Sequence, residues 1–344
     1  MIFFGADGRA SFRTAYNQLL DDSYRSYCIS SHSFMRADMS KHECPDRIYK
    51  FLDFNGLCKT LESGTIRLSK PNEFNDPLDI YLQECFGKGR QAFFEDMKGA
   101  FQDFIEGELD LSSLPDSPYK AKITAIITAH KKASPEQRAE MREEMSRIPI
   151  EELYDLKKLE ETEREVLSWV NQSFEFDGAF CSTVDFKNLL MWAHYADKHQ
   201  GAAIEFTPNK EKDSAFLASR KVIYSNERPV LYATAQEMII SGIAMSTEES
   251  GKSILDKLIY TKGRDWEYEQ EYRLVLPFCI KPGQPFATHS YHPEELTSVL
   301  LGCRMSQQNQ EKAIALARTA NPLVAIYKAY PTPREFGLSF AQCL

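Results

Sequence analysis

Between Asp265 and Val275 the chain reads Asp-Trp-Glu-Tyr-Glu-Gln-Glu-Tyr-Arg-Leu-Val. Trp266, Tyr268, Tyr272 and Leu274 recur at every second position, the period of a β-strand. Glu267, Glu269, Glu271 and Arg273 then fall on the opposite face. Three carboxylates in a row repel one another and are not needed to make a strand. Such a face looks either into solvent or into a site. The run continues into Leu-Val-Leu-Pro, the text of a buried strand, and acids at the mouth of a buried strand point to a site. Carboxylates so placed can do acid–base work, hold a divalent ion such as Mg²⁺, or pair with basic residues of a partner.

A second group lies in Met191-Trp-Ala-His-Tyr-Ala-Asp-Lys-His-Gln-Gly201. His194 and His199 are five apart, which on a helix turns them about 140° from each other. A zinc pair needs i, i+4 spacing, so no metal is expected there. Trp192, His194 and Tyr195 read as core or pocket wall. Ser182 and Thr183 end a strand just before this helix, where a hydroxyl caps a turn or meets a ligand. Gly251-Lys-Ser253 resembles the tail of a phosphate loop, but Ser246 stands where its first glycine belongs. There is no Gly-x-Gly-x-x-Gly dinucleotide fingerprint and no Gly-x-Ser-x-Gly elbow.

The elements that must position these residues alternate irregularly. Strands are expected at Arg47–Leu52, Thr65–Ser69, Gly178–Thr183, Ala202–Phe206, Lys221–Tyr224, Ser298–Gly302 and Val324–Tyr327. Helices are expected at Gly56–Glu62, capped by Asn55 and closed by Gly64, and at Asn188–His199, Thr234–Tyr260 and Gln307–Thr319. Pro71, Asn72, Asn75, Asp76 and Pro77 mark an ordered turn. Residues 87–173 are charged, glycine-poor and helical in period over Phe93–Leu109, Lys120–Lys132, Pro135–Arg147 and Ile150–Val170. The chain thus divides into an N-terminal extension 1–46 with an amphipathic piece at Phe12–Leu20, a core of 47–86 and 174–344, and a helical insertion 87–173. Strands with helices between them, without regular βαβ spacing, predict an α+β fold. A net charge of -9 argues against broad nucleic-acid binding. No apolar run approaches the ~20 residues of a membrane span, and the N-terminus does not read as a signal peptide. Eight scattered cysteines without a Cys-x-x-Cys pair suggest reduced thiols in a cytoplasmic protein.

Tyr49-Lys-Phe, Leu68-Ser-Lys-Pro-Asn-Glu-Phe-Asn-Asp-Pro77, Phe180-Cys-Ser182, Met191-Trp-Ala-His-Tyr195 with His199 and Gly201, and Trp266-Glu-Tyr-Glu-Gln-Glu-Tyr-Arg273 together resemble the bacterial domain of unknown function 2971 (DUF2971) family. Their layout in turn resembles the ADP-ribosyltransferases. Those enzymes carry a His or Arg on a first strand, a Ser/Thr/Tyr motif on a middle one and a Glu-x-Glu or Gln-x-Glu on a late one. The matching positions are Tyr49-Lys50, Ser182-Thr183 and Glu269-Gln-Glu271; Lys50 departs from the pattern, although a lysine can meet a phosphate or ribose hydroxyl.

The resemblance implies a split β-sheet core with a large helical insertion and NAD as substrate, with no metal. Glu271 would stabilise the ribosyl cation and Glu269 would orient or deprotonate the nucleophile. Tyr49, Lys50, Ser182, Thr183, Trp192, His194 and Tyr195 would bind NAD. The activity implied is ADP-ribosyl transfer to a protein or nucleic-acid acceptor, or NAD hydrolysis, in a bacterial toxin or phage-defence effector with a partner protein or oligomer. The alternatives are a non-enzymatic sensor or scaffold, and a metal-dependent hydrolase using Glu267, Glu269 and Glu271.

Overall fold

A computed structural model describes residues 44–106, 118–147, 149, 156–244 and 254–343. Most of the expected N-terminal extension, its Phe12–Leu20 piece and Gly251-Lys-Ser253 lie outside the described residues. The described chain divides into two compact units, one of 81–172 and 228–259, the other of 44–80, 173–227 and 260–343.

The first unit is built from α2 (Arg90–Glu106), α3 (Pro118–Lys132), α4 (Pro135–Arg147), α5 (Leu156–Ser173) and α7 (Ala235–Ala244). Its centre is aromatic: Phe86, Phe93 and Phe94 lie with ring centroids 4.8–5.7 Å apart, beside buried Met97, Met238 and Ile239. Arg90 binds Glu163 through Nε at 2.8 Å. Residues 228–259 thus pack with the helical stretch read from the sequence as 87–173.

The second unit is organised by one large mixed sheet. In chain order its strands are β1 (Ile48–Leu52), β2 (Thr65–Ser69), β3 (Gly178–Thr183), β4 (Ala202–Phe206), β5 (Arg220–Lys221), β8 (Glu271–Leu276), β9 (Phe286–Ser290), β10 (Leu296–Leu301), β11 (Ala325–Pro331) and β12 (Leu338–Gln342). One half runs β12-β11-β10-β4-β1 and the other carries β9-β2, with β8 and β5 on the far edge of β3. The two halves share β3. It pairs along its whole length with β8, from Gly178↔Leu276 to Thr183↔Glu271. On its other edge it meets β1 only at Tyr49↔Thr183 and β2 only at Ser69↔Ala179. β1 and β2 therefore diverge from a common neighbour and leave a wedge between them. A separate parallel pair, β6 (Ile223–Ser225) and β7 (Thr261–Gly263), sets Tyr224 opposite Lys262.

Helices α1 (Phe54–Ser63) and α8 (Gln307–Ala320) bury Leu57, Leu61, Ala313 and Ala317 in one core with Ile204, Phe206, Leu274 and Val299. The cap of α1 is Asp53, whose carboxylate accepts from Gly56 N at 2.6 Å, rather than Asn55; Gly64 closes it at φ 63°. The short helix α6 (Leu189–Tyr195) seats Met191 and Trp192 with Tyr49, Phe51 and Leu300. The helix predicted over Asn188–His199 is shorter because Asp197, Lys198 and His199 are all left-handed, at φ 44°, 53° and 68°. Such residues are strained. The bonds Lys198 N to Ala193 O, His199 N to Trp192 O and Gly201 N to Ala196 O hold the turn. Among the described residues no helix is long and apolar enough to cross a membrane.

Gly201 ends this turn against the end of β1. A Cβ there would lie 2.0 Å from the Leu52 carbonyl oxygen and 3.0 Å from Asp53 Cα. Backbone cannot yield as a side-chain tip can, so Gly201→Ala is expected to cost more than about 2 kcal/mol. Urea denaturation checks this; a midpoint equal to that of the unsubstituted protein would contradict the close approach.

Candidate functional site

The acidic stretch is not one continuous strand. Arg264–Glu269 forms a 3-10 turn, Gln270 is left-handed at φ 44°, and β8 begins only at Glu271. The turn corrects the expected alternation. Glu267 faces solvent with 64% of its side chain exposed, 4.0 Å from Arg264, so the three glutamates do not share a face. From Glu271 onward the period of two holds. Leu274 and Leu276 enter the core, while Glu271 and Arg273 project to the other side.

There they join a buried charge cluster. Arg273 is fully enclosed, with Nη2 at 2.5 Å from Asp79 and Nε at 2.7 Å from Glu271. Lys262 Nζ lies 2.5 Å from Glu269 and 3.1 Å from Glu271. None of these five side chains is more than 5% exposed. Tyr224, opposite Lys262 on β6, accepts a bond from Glu271 N at 2.8 Å. At the end of α6, the Tyr195 hydroxyl donates to Glu269 at 2.5 Å and accepts from Asn75 Nδ2 at 3.2 Å. Asn188 orients α6, its Oδ1 capping Leu190 N and its Nδ2 donating to the Tyr268 carbonyl.

Three carboxylates against two cations leave one negative charge unbalanced if all are ionised. The environments divide the carboxylates accordingly. Burial disfavours the charge of Glu271, but Arg273, then Lys262 and the Cys181 thiol, overcome it and hold Glu271 well below the usual carboxylate range. Burial dominates at Glu269 and at Asp79 and raises both, although Lys262 and Tyr195 oppose it at Glu269 and Arg273 at Asp79. Glu271 is thus a fixed charge, and Glu269 the carboxylate readier to exchange a proton.

A cleft of about 240 Å³ opens where β1 and β2 part from β3. Its wall includes Tyr49, Lys50, Ser182, Tyr195, Lys262, Glu269 and Glu271. Lys50 reaches across the wedge: its ammonium donates to the Cys181 carbonyl at 2.7 Å and lies 5.1 Å from the centre of the Phe180 ring. The Tyr49 hydroxyl is committed to Glu205 at 2.7 Å, and Ser182 Oγ donates to the Tyr272 carbonyl at 3.2 Å.

Three of the residues singled out in the sequence do not line this cleft. Thr183 is fully buried, its hydroxyl accepting from Asp185 N. Trp192 is core, with its indole N–H on the Phe186 carbonyl at 2.7 Å. His194 is solvent-exposed on α6, 3.1 Å from the Tyr268 hydroxyl. Conversely, Asp79 and Lys262 had not been singled out. Asp79 follows the Pro-Asn turn, where an acid looks like ordinary turn text. Lys262 stands in a three-residue strand too short to show a period. Among the described residues no group of three or more His, Cys, Asp or Glu side chains is placed to hold a metal ion.

Residues 191–274, about a quarter of the chain, match the family model described as Protein of unknown function (DUF2971). The segment carries Tyr195, Lys262, Glu269, Glu271 and Arg273, but not Tyr49, Lys50, Asp79 or Ser182. No match was found among curated proteins or among solved structures.

Removing one member of a buried ion pair strands the other charge. Glu271→Gln is therefore expected to destabilise the fold by about 3–5 kcal/mol at neutral pH. The folded-state pKa of Glu271 is depressed, so its contribution is present above the ordinary value of 4.5 and is lost as pH falls below it. Denaturation measured from pH 7 to 3 should show this acid limb shrinking in Glu271→Gln; an unchanged limb would exclude Glu271 as its source.

Proposed function

We propose that this protein, which is similar to the DUF2971 family over residues 191–274, consumes NAD, breaking the bond between nicotinamide and ribose. The observation that carries the reading is the convergence of Lys50, Ser182, Tyr195, Glu269 and Glu271 on one cleft at the division of the sheet. A sheet whose strands β1 and β2 part beside the cleft also agrees with an ADP-ribosyltransferase-like layout. The C1′–N bond breaks with its electron pair going to nicotinamide, and positive charge develops on the ribose. The fixed carboxylate of Glu271 stabilises that charge. Water or an acceptor forms the new bond to C1′ and gives up its proton to Glu269. The bacterial-conflict role belongs to this proposal by analogy alone.

A second reading has a specific observation in its favour. Lys262 and Arg273 already neutralise much of the acidic cluster, as a purely structural network in a non-enzymatic binding protein would. The metal-dependent reading needs a cation between the glutamates, where Lys262 Nζ now stands.

Purified protein with NAD labelled in the nicotinamide, with and without EDTA, separates the three. NAD consumption should be insensitive to EDTA. Glu271→Gln, assayed well below its lowered melting temperature, should lose on the order of 10²–10³-fold in turnover with little change in NAD affinity. Glu269→Gln should impair transfer to an acceptor more than hydrolysis. A folded protein that leaves NAD intact would leave the non-enzymatic reading, and activity abolished by EDTA the metal-dependent one.

A further inference from the structure

The cleft is small for the ligand proposed. Sites that enclose drug-sized molecules span roughly 300–1,000 Å³, against about 240 Å³ here. A dinucleotide seated by its nicotinamide ribose must extend over whatever rims the cleft. Two elements that supply the cleft also lead out of it. Glu269 lines the cleft, and the turn just before it presents Trp266 and Tyr268, both half-buried, with ring centroids 6.1 Å apart and planes 34° apart. Tyr195 lines the cleft, and its neighbour on α6, exposed His194, meets Tyr268 edge to face at 6.1 Å. Lys262 joins the two regions. Its ammonium contacts Glu269 and lies 4.8 Å from the centre of the Trp266 ring.

The rim is rigid for a surface feature. Asn188 holds the Tyr268 carbonyl at 2.8 Å, His194 holds its hydroxyl at 3.1 Å, and Tyr268 rests partly on the core below. One helical turn before His194, Leu190 is 47% exposed, so the surface is both aromatic and apolar. Aromatic rings partly in water beside a cleft offer a face to a planar base, whose stacking tolerates sequence and hydrogen-bonding differences.

We propose that Trp266, Tyr268 and His194 form a second subsite, which stacks the purine base of the dinucleotide whose nicotinamide end enters the cleft. This assignment rests on the NAD reading and extends it by naming what binds outside the cleft. Trp192, fully enclosed, takes no part. Tyr268 supplies the stacking ring, and His194 fixes its orientation through the hydroxyl.

Calorimetric titration of the full chain with nicotinamide mononucleotide, ADP-ribose and NAD tests it, with Tyr268→Ala, Trp266→Ala and Tyr268→Phe as variants and melting temperatures as the folding control. Tyr268→Ala and Trp266→Ala should each weaken ADP-ribose and NAD by about tenfold or more, while leaving nicotinamide mononucleotide within about twofold. Tyr268→Phe keeps the ring and should retain most of the ADP-ribose affinity. Binding of nicotinamide mononucleotide by the unsubstituted protein, with ADP-ribose affinity unchanged in both alanine variants, would overturn the subsite and leave the NAD reading standing. Equal losses for both ligands would mean that these rings shape the cleft itself, and would also overturn it. Failure of the unsubstituted protein to bind any of the three would remove the subsite and the NAD reading together.

Discussion

Arg273 is the group on which the second unit depends. A guanidinium cannot shed its proton to escape burial, and this one has no exposed side-chain surface. It must therefore be surrounded by acceptors. Glu271 on its own strand and Asp79 from a distant loop meet that demand. Two acids around one cation then call for another cation, which Lys262 provides from β7. Each charge is admissible only because the others are present, so β7, β8 and the loop before residue 80 are tied together electrostatically. Such a network specifies one arrangement of its chain segments more surely than it adds net stability.

The cluster also gives neighbouring glutamates different characters. Glu269 and Glu271 are separated by one residue in sequence, yet only Glu271 receives the guanidinium. Burial raises the proton affinity of one while paired charge lowers that of the other. The left-handed Gln270 between them places Glu269 on the turn and Glu271 on the strand. Two carboxylates of unlike proton affinity on one wall suit a reaction in which one group moves a proton while the other keeps its charge.

Much of this was legible in the sequence. Strands β2, β3 and β4 stand at the residues their apolar text marks, because each is bounded by glycine or turn residues and buries its apolar positions. The pairing of β8 with β3 comes from the structure alone, since apolar text does not say which strand lies beside which. What failed had physical reasons. Residues 264–269 alternate like a strand, but alternation cannot reveal a left-handed residue at 270 that converts half the stretch into a turn. Trp192 and His194 sit two apart on a single helical turn, and only the packing of α6 decides which is core and which is exposed. β9, with its alternating exposed positions, and β12, also largely solvent-facing, carry too little apolar text to stand out. Asp79 and Lys262 carry no signal in the sequence, because partners of a buried charge are chosen in space and leave no spacing rule.

The sharing of β3 between two half-sheets has a consequence for how the protein comes into being. β1 pairs with strands more than a hundred residues downstream, and β2 pairs with β9 across an even longer stretch of chain. Contacts of such separation are slow to form, whereas helices such as α2 to α5 depend on local contacts. On a ribosome the helical stretch emerges while β1 and β2 still lack most of their partners. The cleft, which needs Lys50, Ser182 and Glu271 at once, cannot be assembled before most of the chain has been synthesised. Whatever chemistry it performs is withheld from the nascent polypeptide until β8 has left the exit tunnel.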